Sequence, residues 1–354
     1  MAKHHKYKVA AAHVAPVFND VEKSLDKACG IIAEAARQDI KLIAFSECFL
    51  PGYPFWSRLA RPTDSEMFFR AHAKRALRID GPEIYKLRQV ARQNDIMVSM
   101  GISEGTDVSV GCLWNSNVLI GSDGSILNHH RKLVPTFYEK LVWANGDGAG
   151  LRVSKTDYGG IGMLICGENT NPLARFALMA EGEQVHIASY HGMTAGAASD
   201  GSGGYDVKAG IRIRAAAHSF EAKAFTIVAS CPWDSTARDA LEPLGPEIVA
   251  RFDAGTRTVS MIVGPMGNLL TDELCEEEGL AIAEIDLEEA IKLKRIHDVV
   301  GAYNRFDIFN LTVNRRANRP ATFIDDIAGR QSDAVPALTE GEYIDTPHPE
   351  RYDV

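Results

Sequence analysis

Three short apolar segments each deliver one side chain able to take part in covalent catalysis. Leu42-Ile43-Ala44-Phe45-Ser46 ends in Glu47, followed by the turn-rich stretch Cys48-Phe49-Leu50-Pro51-Gly52-Tyr53-Pro54. Ile126–Leu133 carries Lys132 just before Val134-Pro135. Ile161–Ile165 stops at Cys166, with Gly167 next and Pro172, a natural first-turn residue of a helix, six positions on. A thiol at a strand–turn–helix junction stands exposed at a sheet edge, near the partial positive charge of a helix N-terminus. It becomes a nucleophile when a base takes its proton, and a carboxylate can be that base if burial raises its pKa. An ammonium stabilises negative charge developing on the attacked substrate, and the backbone N–H after the thiol can hold an anion. Together the three form a Cys-based hydrolytic site without histidine. Each also has a plainer reading: Glu47 and Lys132 as a structural ion pair, Cys166 as a core residue. A Cys–His dyad drawn from the chain's 11 histidines is the alternative. The expectation is that the three side chains meet in one cavity.

The elements that must position them follow from hydrophobic spacing. Tyr7–His13 predicts a buried strand. Asp20–Gln38 predicts a helix, with Val21, Leu25, Cys29, Ile32 and Ala36 on one face and Asn19 or Asp20 as its cap. Strands follow at Leu42–Ser46 and Ile96–Ile102, around a helix at Glu83–Asn94. Trp114–Ile120 and Ile126–His130 flank Gly121-Ser122-Asp123-Gly124 as a hairpin. A second hairpin joins Leu151–Thr156 to Ile161–Ile165. Helices at Pro172–Glu181, Val207–Lys223 and Leu287–Arg295 alternate with strands at Val185–Ser189 and Ala224–Ser230. Thr258–Val263 and Leu280–Ile285 are predicted to pair around the turn at Gly264–Asn268. About a dozen strands exceed what one open sheet usually carries, so the fold class is α/β: two mixed sheets packed face to face with helices outside. Residues 1–310 read as one domain and 311–354, polar with Pro320, Pro336, Pro347 and Pro349, as a C-terminal extension.

Composition excludes several classes. The chain has 354 residues, 45% hydrophobic and 24% charged, with a formal charge of −9. That balance argues against nucleic acid and anionic membranes as partners, which need a basic face. No apolar run approaches the roughly 20 residues of a membrane helix. The N-terminal stretch lacks a signal peptide's uninterrupted apolar core, so a cytoplasmic protein is expected. The six cysteines, at 29, 48, 112, 166, 231 and 275, contain no CxxC pair, which disfavours zinc ribbons and dense disulfides. There is no phosphate-loop, dinucleotide-binding or HExxH motif. Gly101-Ile102-Ser103-Glu104-Gly105 matches the GxSxG elbow of hydrolases, but a loop rather than a helix follows it.

At these positions the sequence resembles the nitrilase, or carbon–nitrogen hydrolase, superfamily, from about Lys8 to Val313. LIAFSECFLPGYP resembles its first signature with Glu47 as general base, HHRKLVPT its lysine segment with Lys132, and GMLICGENTNPLAR its third with Cys166 as nucleophile. Glu139, in FYEKLVW ahead of Gly146-Asp147-Gly148, falls where a second, substrate-positioning glutamate is carried. CxENxxPLAR and RAAAHSFEAKAF resemble the nitrilase branch. One position departs: nitrilases commonly carry Trp after the nucleophile, and here it is Gly167, which reshapes the pocket but keeps the N–H. The resemblance implies an α-β-β-α sandwich and hydrolysis of a small-molecule nitrile to acid and ammonia through a thioimidate and a thioester, with no metal and no cofactor. It also implies a homodimer or larger homo-oligomer, up to a spiral, with the tail either contacting neighbours or disordered. Tyr53, Trp56, Phe137, Gly167, Tyr190 and His191 are the expected substrate-binding positions, suited to aromatic or arylaliphatic groups. An amidase using the same site, and a catalytically silent oligomeric scaffold, are the competing readings.

Overall fold

The structure is a computed structural model that describes residues 2–194, 206–232, 235–319 and 321. Of the predicted extension 311–354, only 311–319 and 321 are among the described residues. The chain runs β1 (Lys6–His13), α1 (Val21–Arg37), β2 (Ile40–Ala44), α2 (Trp56–Leu59), α3 (Glu66–Lys74), α4 (Pro82–Gln93), β3 (Met97–Glu104), β4 (Trp114–Ile120) and β5 (Ile126–Arg131). It continues through β6 (Ser154–Thr156), β7 (Gly159–Ile165), α5 (Pro172–Ala180), β8 (Val185–Ser189), β9 (Met193–Thr194), α6 (Val207–Ala222) and β10 (Phe225–Ala229). Helices α7 (Ser235–Leu241) and α8 (Pro246–Asp253), strands β11 (Thr256–Arg257), β12 (Met261–Val263) and β13 (Gly279–Asp286), and α9 (Glu289–Lys294) complete it.

One sheet has the order β13-β1-β2-β3-β4-β5 and the other β12-β10-β8-β7-β6, with β9 and β11 forming a separate ribbon. The period-2 alternation of side chains sorts each strand between two cores. Val9, Ala11, Leu42 and Ala44 of the first sheet meet Ile161, Met163, Ile187 and Ile227 of the second. Their neighbours Ala10, Ala12, Ile43 and Val98 turn outward onto Leu25, Ile32, Ile84 and Leu87 of α1 and α4. On the far side, Ala188, Val228 and Met261 pack on Val207, Ile211 and Ala215 of α6. The layers are therefore α-β-β-α. Each of the buried Val, Leu, Ile and Met side chains contributes about 1.5–3 kcal/mol relative to exposure and each alanine less, so this alternation is the main driving force for the sandwich. Asp20 caps α1 by accepting from the Lys23 N–H.

One pairing differs from expectation. Strands β12 and β13 do not form a hairpin with each other: β12 lies against β10, and β13 against β1 along eight residues. The turn at 264–268 does form, but it returns only to isolated bridges at Leu269 and Leu274. The reason is that β13 is apolar along its whole inner face and along the first half of its outer face, before the exposed Glu284. Ala281, Ala283 and Ile285 face the inter-sheet core, while Leu280 and Ile282 face the α1 layer. Only a strand position covered on both sides satisfies that pattern. As expected, Ser103 is no elbow: it is buried inside β3, where its hydroxyl accepts from Trp143 Nε1 at 3.0 Å.

Candidate active site

Glu47 lies just beyond β2, in a turn that approaches β3 closely. A Cβ on Gly101 would come within 2.2 Å of the Ser46 carbonyl, so only glycine lets the turn settle there. The Glu47 N–H donates to the Tyr190 carbonyl at 3.1 Å, which ties this turn to the end of β8 in the other sheet. Its carboxylate is buried. Oε1 accepts from Lys132 Nζ and Asn115 Nδ2, both at 2.7 Å, and Oε2 from the His191 N–H at 3.0 Å.

Lys132 directly follows β5 and is fully buried. Its second partner is Glu139 Oε2, at 2.6 Å. Glu139 sits in a 3-10 turn, Phe137–Leu141, started by a Thr136 capping box. The Thr136 N–H donates to Glu139 Oε2 at 2.7 Å and the Tyr53 hydroxyl to Oε1 at 2.7 Å. One ammonium thus bridges two buried carboxylates. Cys166, at the end of β7, has φ +51°, the left-handed region that a non-glycine residue occupies only when its surroundings hold it there. Its thiol and one ligand-type atom from each of Glu47, Glu139 and His191 all lie within 4.8 Å of one another. Such a set is close enough to hold a metal ion by distance alone, but the Lys132 ammonium is hydrogen-bonded to both carboxylates and supplies the positive charge there.

The electrostatics follow from burial and neighbours. Burial pushes Glu47 up to about 7 and the adjacent Glu139 adds to this, with Lys132 opposing both. Burial works against the Lys132 ammonium too, yet Glu47 and Glu139 outweigh it and hold its pKa well above the ordinary value. Burial also raises the Cys166 thiol, reinforced by Glu47. His191 is lowered to about 4, chiefly by burial, and is neutral. The resting site is therefore a thiol beside a carboxyl poised near neutrality, which suits proton transfer between them.

The structure brings together Glu47, Lys132, Glu139, Cys166 and His191, with Tyr53 stacked on the His191 ring at 4.1 Å and Gly167 next to the thiol. Tyr190 is buried and meets the site through its carbonyl. Two expected substrate positions fall elsewhere. Trp56 packs on Phe68 and His72 of α3, because α2 turns that face inward to an apolar cluster. Phe137 is 72% exposed: with φ +47° at the start of its turn, the backbone points Glu139 inward and Phe137 out. Sequence reasoning missed Asn115, Thr136 and Glu168. The signal for Asn115 was present in the strand Trp114-Asn115-Ser116-Asn117, whose three polar residues are all buried. Polar side chains in a buried strand need partners.

The carbon–nitrogen hydrolase family model matches residues 8–295. A nitrilase of Paraburkholderia phymatum is 33% identical over 313 residues, covering 88% of this chain and 88% of that protein. A cyanide hydratase of Botryotinia fuckeliana is 35% identical over 332 residues, covering 92% and 87%. Among solved structures, a carbon–nitrogen hydrolase of Helicobacter pylori superposes with a TM-score of 0.69 at 20% identity, over 87% of this chain and 98% of that one. A nitrilase-superfamily protein of Saccharomyces cerevisiae gives 0.64 at 19%, over 85% and 96%. Those structures share the sandwich. With a family match spanning most of the chain and relatives above 30% identity along nearly their full lengths, this chain belongs to the carbon–nitrogen hydrolase family.

Proposed function

We propose that the protein is a nitrilase, with Cys166 as nucleophile, Glu47 as general base, and Lys132, Glu139 and the Gly167 N–H as the polar frame around the reacting carbon. The observation that carries this is the Cys166 thiol beside two buried carboxylates that share one buried ammonium. Glu47 takes the thiol proton as sulfur bonds to the nitrile carbon. The C≡N bond gives up one pair to nitrogen, which Lys132 and the Gly167 N–H stabilise until nitrogen is protonated, leaving a thioimidate. Water adds to that carbon, losing a proton to Glu47, with Glu139 orienting it. The tetrahedral carbon then expels ammonia to leave a thioester. A second water releases the carboxylic acid and returns the thiol.

The tetrahedral species has a second exit. Breaking its C–S bond instead of its C–N bond releases the amide, and resemblance to a cyanide hydratase makes that product worth measuring. A panel of aliphatic, aromatic and arylaliphatic nitriles and their amides, analysed for acid, amide and ammonia, tests the reading. Nitrile turnover that vanishes in Cys166→Ala is expected. Turnover of amides alone makes the protein an amidase, and full turnover by Cys166→Ala overturns the mechanism.

The same reading includes a cytoplasmic homo-oligomer with no metal, cofactor or nucleic-acid partner. Exposed Tyr303, Phe306, Ile308 and Phe309 support self-association, and sedimentation velocity measures it. Among the described residues, no helix is long and apolar enough to cross a membrane.

A further inference from the structure

Behind the thiol, a line of four buried polar side chains runs away from the site between the second sheet and α6. Asn169, in the turn after Cys166, donates its Nδ2 hydrogens to the Leu164 carbonyl at 3.3 Å and the Cys166 carbonyl at 3.0 Å. Those two bonds fix the orientation of its amide, so Oδ1 must face a donor. It faces His186 Nε2 at 2.8 Å. The other ring nitrogen, Nδ1, lies 2.7 Å from Glu183 Oε1. The second oxygen of Glu183 lies 2.6 Å from His218 Nε2. Glu183, His186 and His218 are all 0–1% exposed. Room for the carboxylate comes from Gly162, where a Cβ would sit 2.0 Å from Glu183 Oε1.

With Glu183 ionised, as its value of about 2 has it, counting hydrogens along this line gives one assignment. Asn169 Oδ1 cannot donate, so His186 Nε2 carries a hydrogen. An ionised Glu183 cannot donate either, so His186 Nδ1 carries one too, as does His218 Nε2. His186 is then an imidazolium paired with Glu183, and His218 is neutral with a bare Nδ1, which has no hydrogen-bond partner. The flanking groups agree. The two histidines outweigh burial and hold Glu183 down at about 2, while burial first and His186 second hold His218 at about 4. The same three residues are near enough for a metal. However, oxygen–nitrogen separations of 2.6 and 2.7 Å are those of shared hydrogens, whereas a zinc ion with bonds of about 2 Å spreads its ligands wider.

We propose that Glu183, His186 and Asn169 act as positioning residues that polarise the Cys166–Gly167 peptide and hold the left-handed Cys166 backbone, so that the Gly167 N–H becomes a stronger anion donor. A hydrogen bond into a peptide carbonyl strengthens the N–H on the same peptide, and a charged group at the head of the chain adds to this. The line ends on the carbonyl of the one peptide whose N–H the proposed mechanism uses, so the inference rests on that reading. No covalent bond changes and no proton leaves the line.

The test is Glu183→Gln. A glutamine keeps the shape and a full set of hydrogen bonds: its amide can donate to a neutral His186 Nδ1, and its oxygen can still accept from His218. Only the charge pair disappears. Three readouts apply: 15N spectra of histidine-labelled protein, melting temperature, and the burst of p-nitrophenyl ester acylation at Cys166. The burst passes through an oxyanion and does not require nitrile activity. In wild type, His186 should show both ring nitrogens protonated. In Glu183→Gln it should show one, with the burst about 10-fold slower while the ester KM and the melting temperature hold. A neutral His186 in wild type, or a wild-type burst in the variant, overturns the inference. If Glu183→Gln fails to fold, Asn169→Ala is read by the same burst. A flat nitrile panel alongside a Glu183-sensitive burst removes the nitrile reading and leaves this inference standing.

Discussion

The Glu168 carboxylate meets His130 Nε2 at 2.9 Å, joining the strand that leads into Lys132 to the turn that carries Cys166. The same carboxylate accepts from the Ile165 N–H at 2.7 Å and from the Leu133 N–H. One buried side chain thus fixes the residue before the thiol and the residue after the ammonium. Their separation is set by this carboxylate as well as by sheet packing.

Removing that clamp should cost both stability and rate. Glu168→Ala leaves two backbone N–H groups and His130 without their acceptor in a buried place, at about 1–3 kcal/mol for each unsatisfied group. A melting temperature lowered by several degrees and a kcat lowered more than 10-fold are expected, with Glu168→Gln milder in both. A Glu168→Ala protein that melts and turns over like wild type would remove the clamp from the account.

The pH profile should report Glu47. Its folded-state pKa is raised to about 7, against the ordinary 4.5, mainly by burial. The base form is therefore scarce below pH 7 and dominant above it. kcat/KM should climb about tenfold per pH unit on the acid side and level off above about pH 7. In Glu47→Asp the acid limb should shift while its steepness stays. A profile flat from pH 5 to 8 excludes Glu47 as the base.

Tyr53 should matter through Glu139. Its hydroxyl donates to Glu139 Oε1 at 2.7 Å, and its ring stacks on His191. Tyr53→Phe keeps the stacking and deletes one hydrogen bond to a charged acceptor, a loss of about 1.5–3 kcal/mol. If that bond tightens in the transition state, kcat falls about 10- to 100-fold with little change in KM. A change confined to KM would place Tyr53 in substrate binding instead.

Acid stability should depend on Glu104. This buried carboxylate contacts Arg131, accepts from the Ser116 hydroxyl at 2.6 Å, and lies 2.7 Å from His129 Nε2. Burial opposes its ionisation, but His129 and Arg131 prevail and hold it at about 2. A depressed carboxylate contributes stability that is complete above its unfolded value of about 4.5 and is lost as pH falls toward 2. The difference corresponds to about 3 kcal/mol. Glu104→Gln should lose about this much at pH 7, and its melting temperature should change less between pH 5 and 3. Equal acid sensitivity in the two proteins would contradict this.

The sequence by itself determined most elements of the two sheets and their packed helices and the reaction type, but not α3, α7, α8 or the β9–β11 ribbon. Strand β8 and the start of α6 stand where periodicity put them, because side chains at period 2 and near period 3.6 have one buried face each, and burying it is the dominant favourable term. Glu47, Lys132 and Cys166 were legible because a polar residue at the end of an apolar strand has few ordinary reasons to be there. Tertiary structure decided what depends on distance between remote segments. The sheet that received β13, the outward turn of Phe137 and the inward packing of Trp56 are outcomes of competition among burial sites, which local spacing does not encode. The same holds for Asn115, Thr136, Glu168 and the line from Asn169 to His218. Each is a common polar residue type whose role comes from a partner up to 68 positions away. A hydrogen bond acts over about 3 Å, so only the folded chain decides which groups share it.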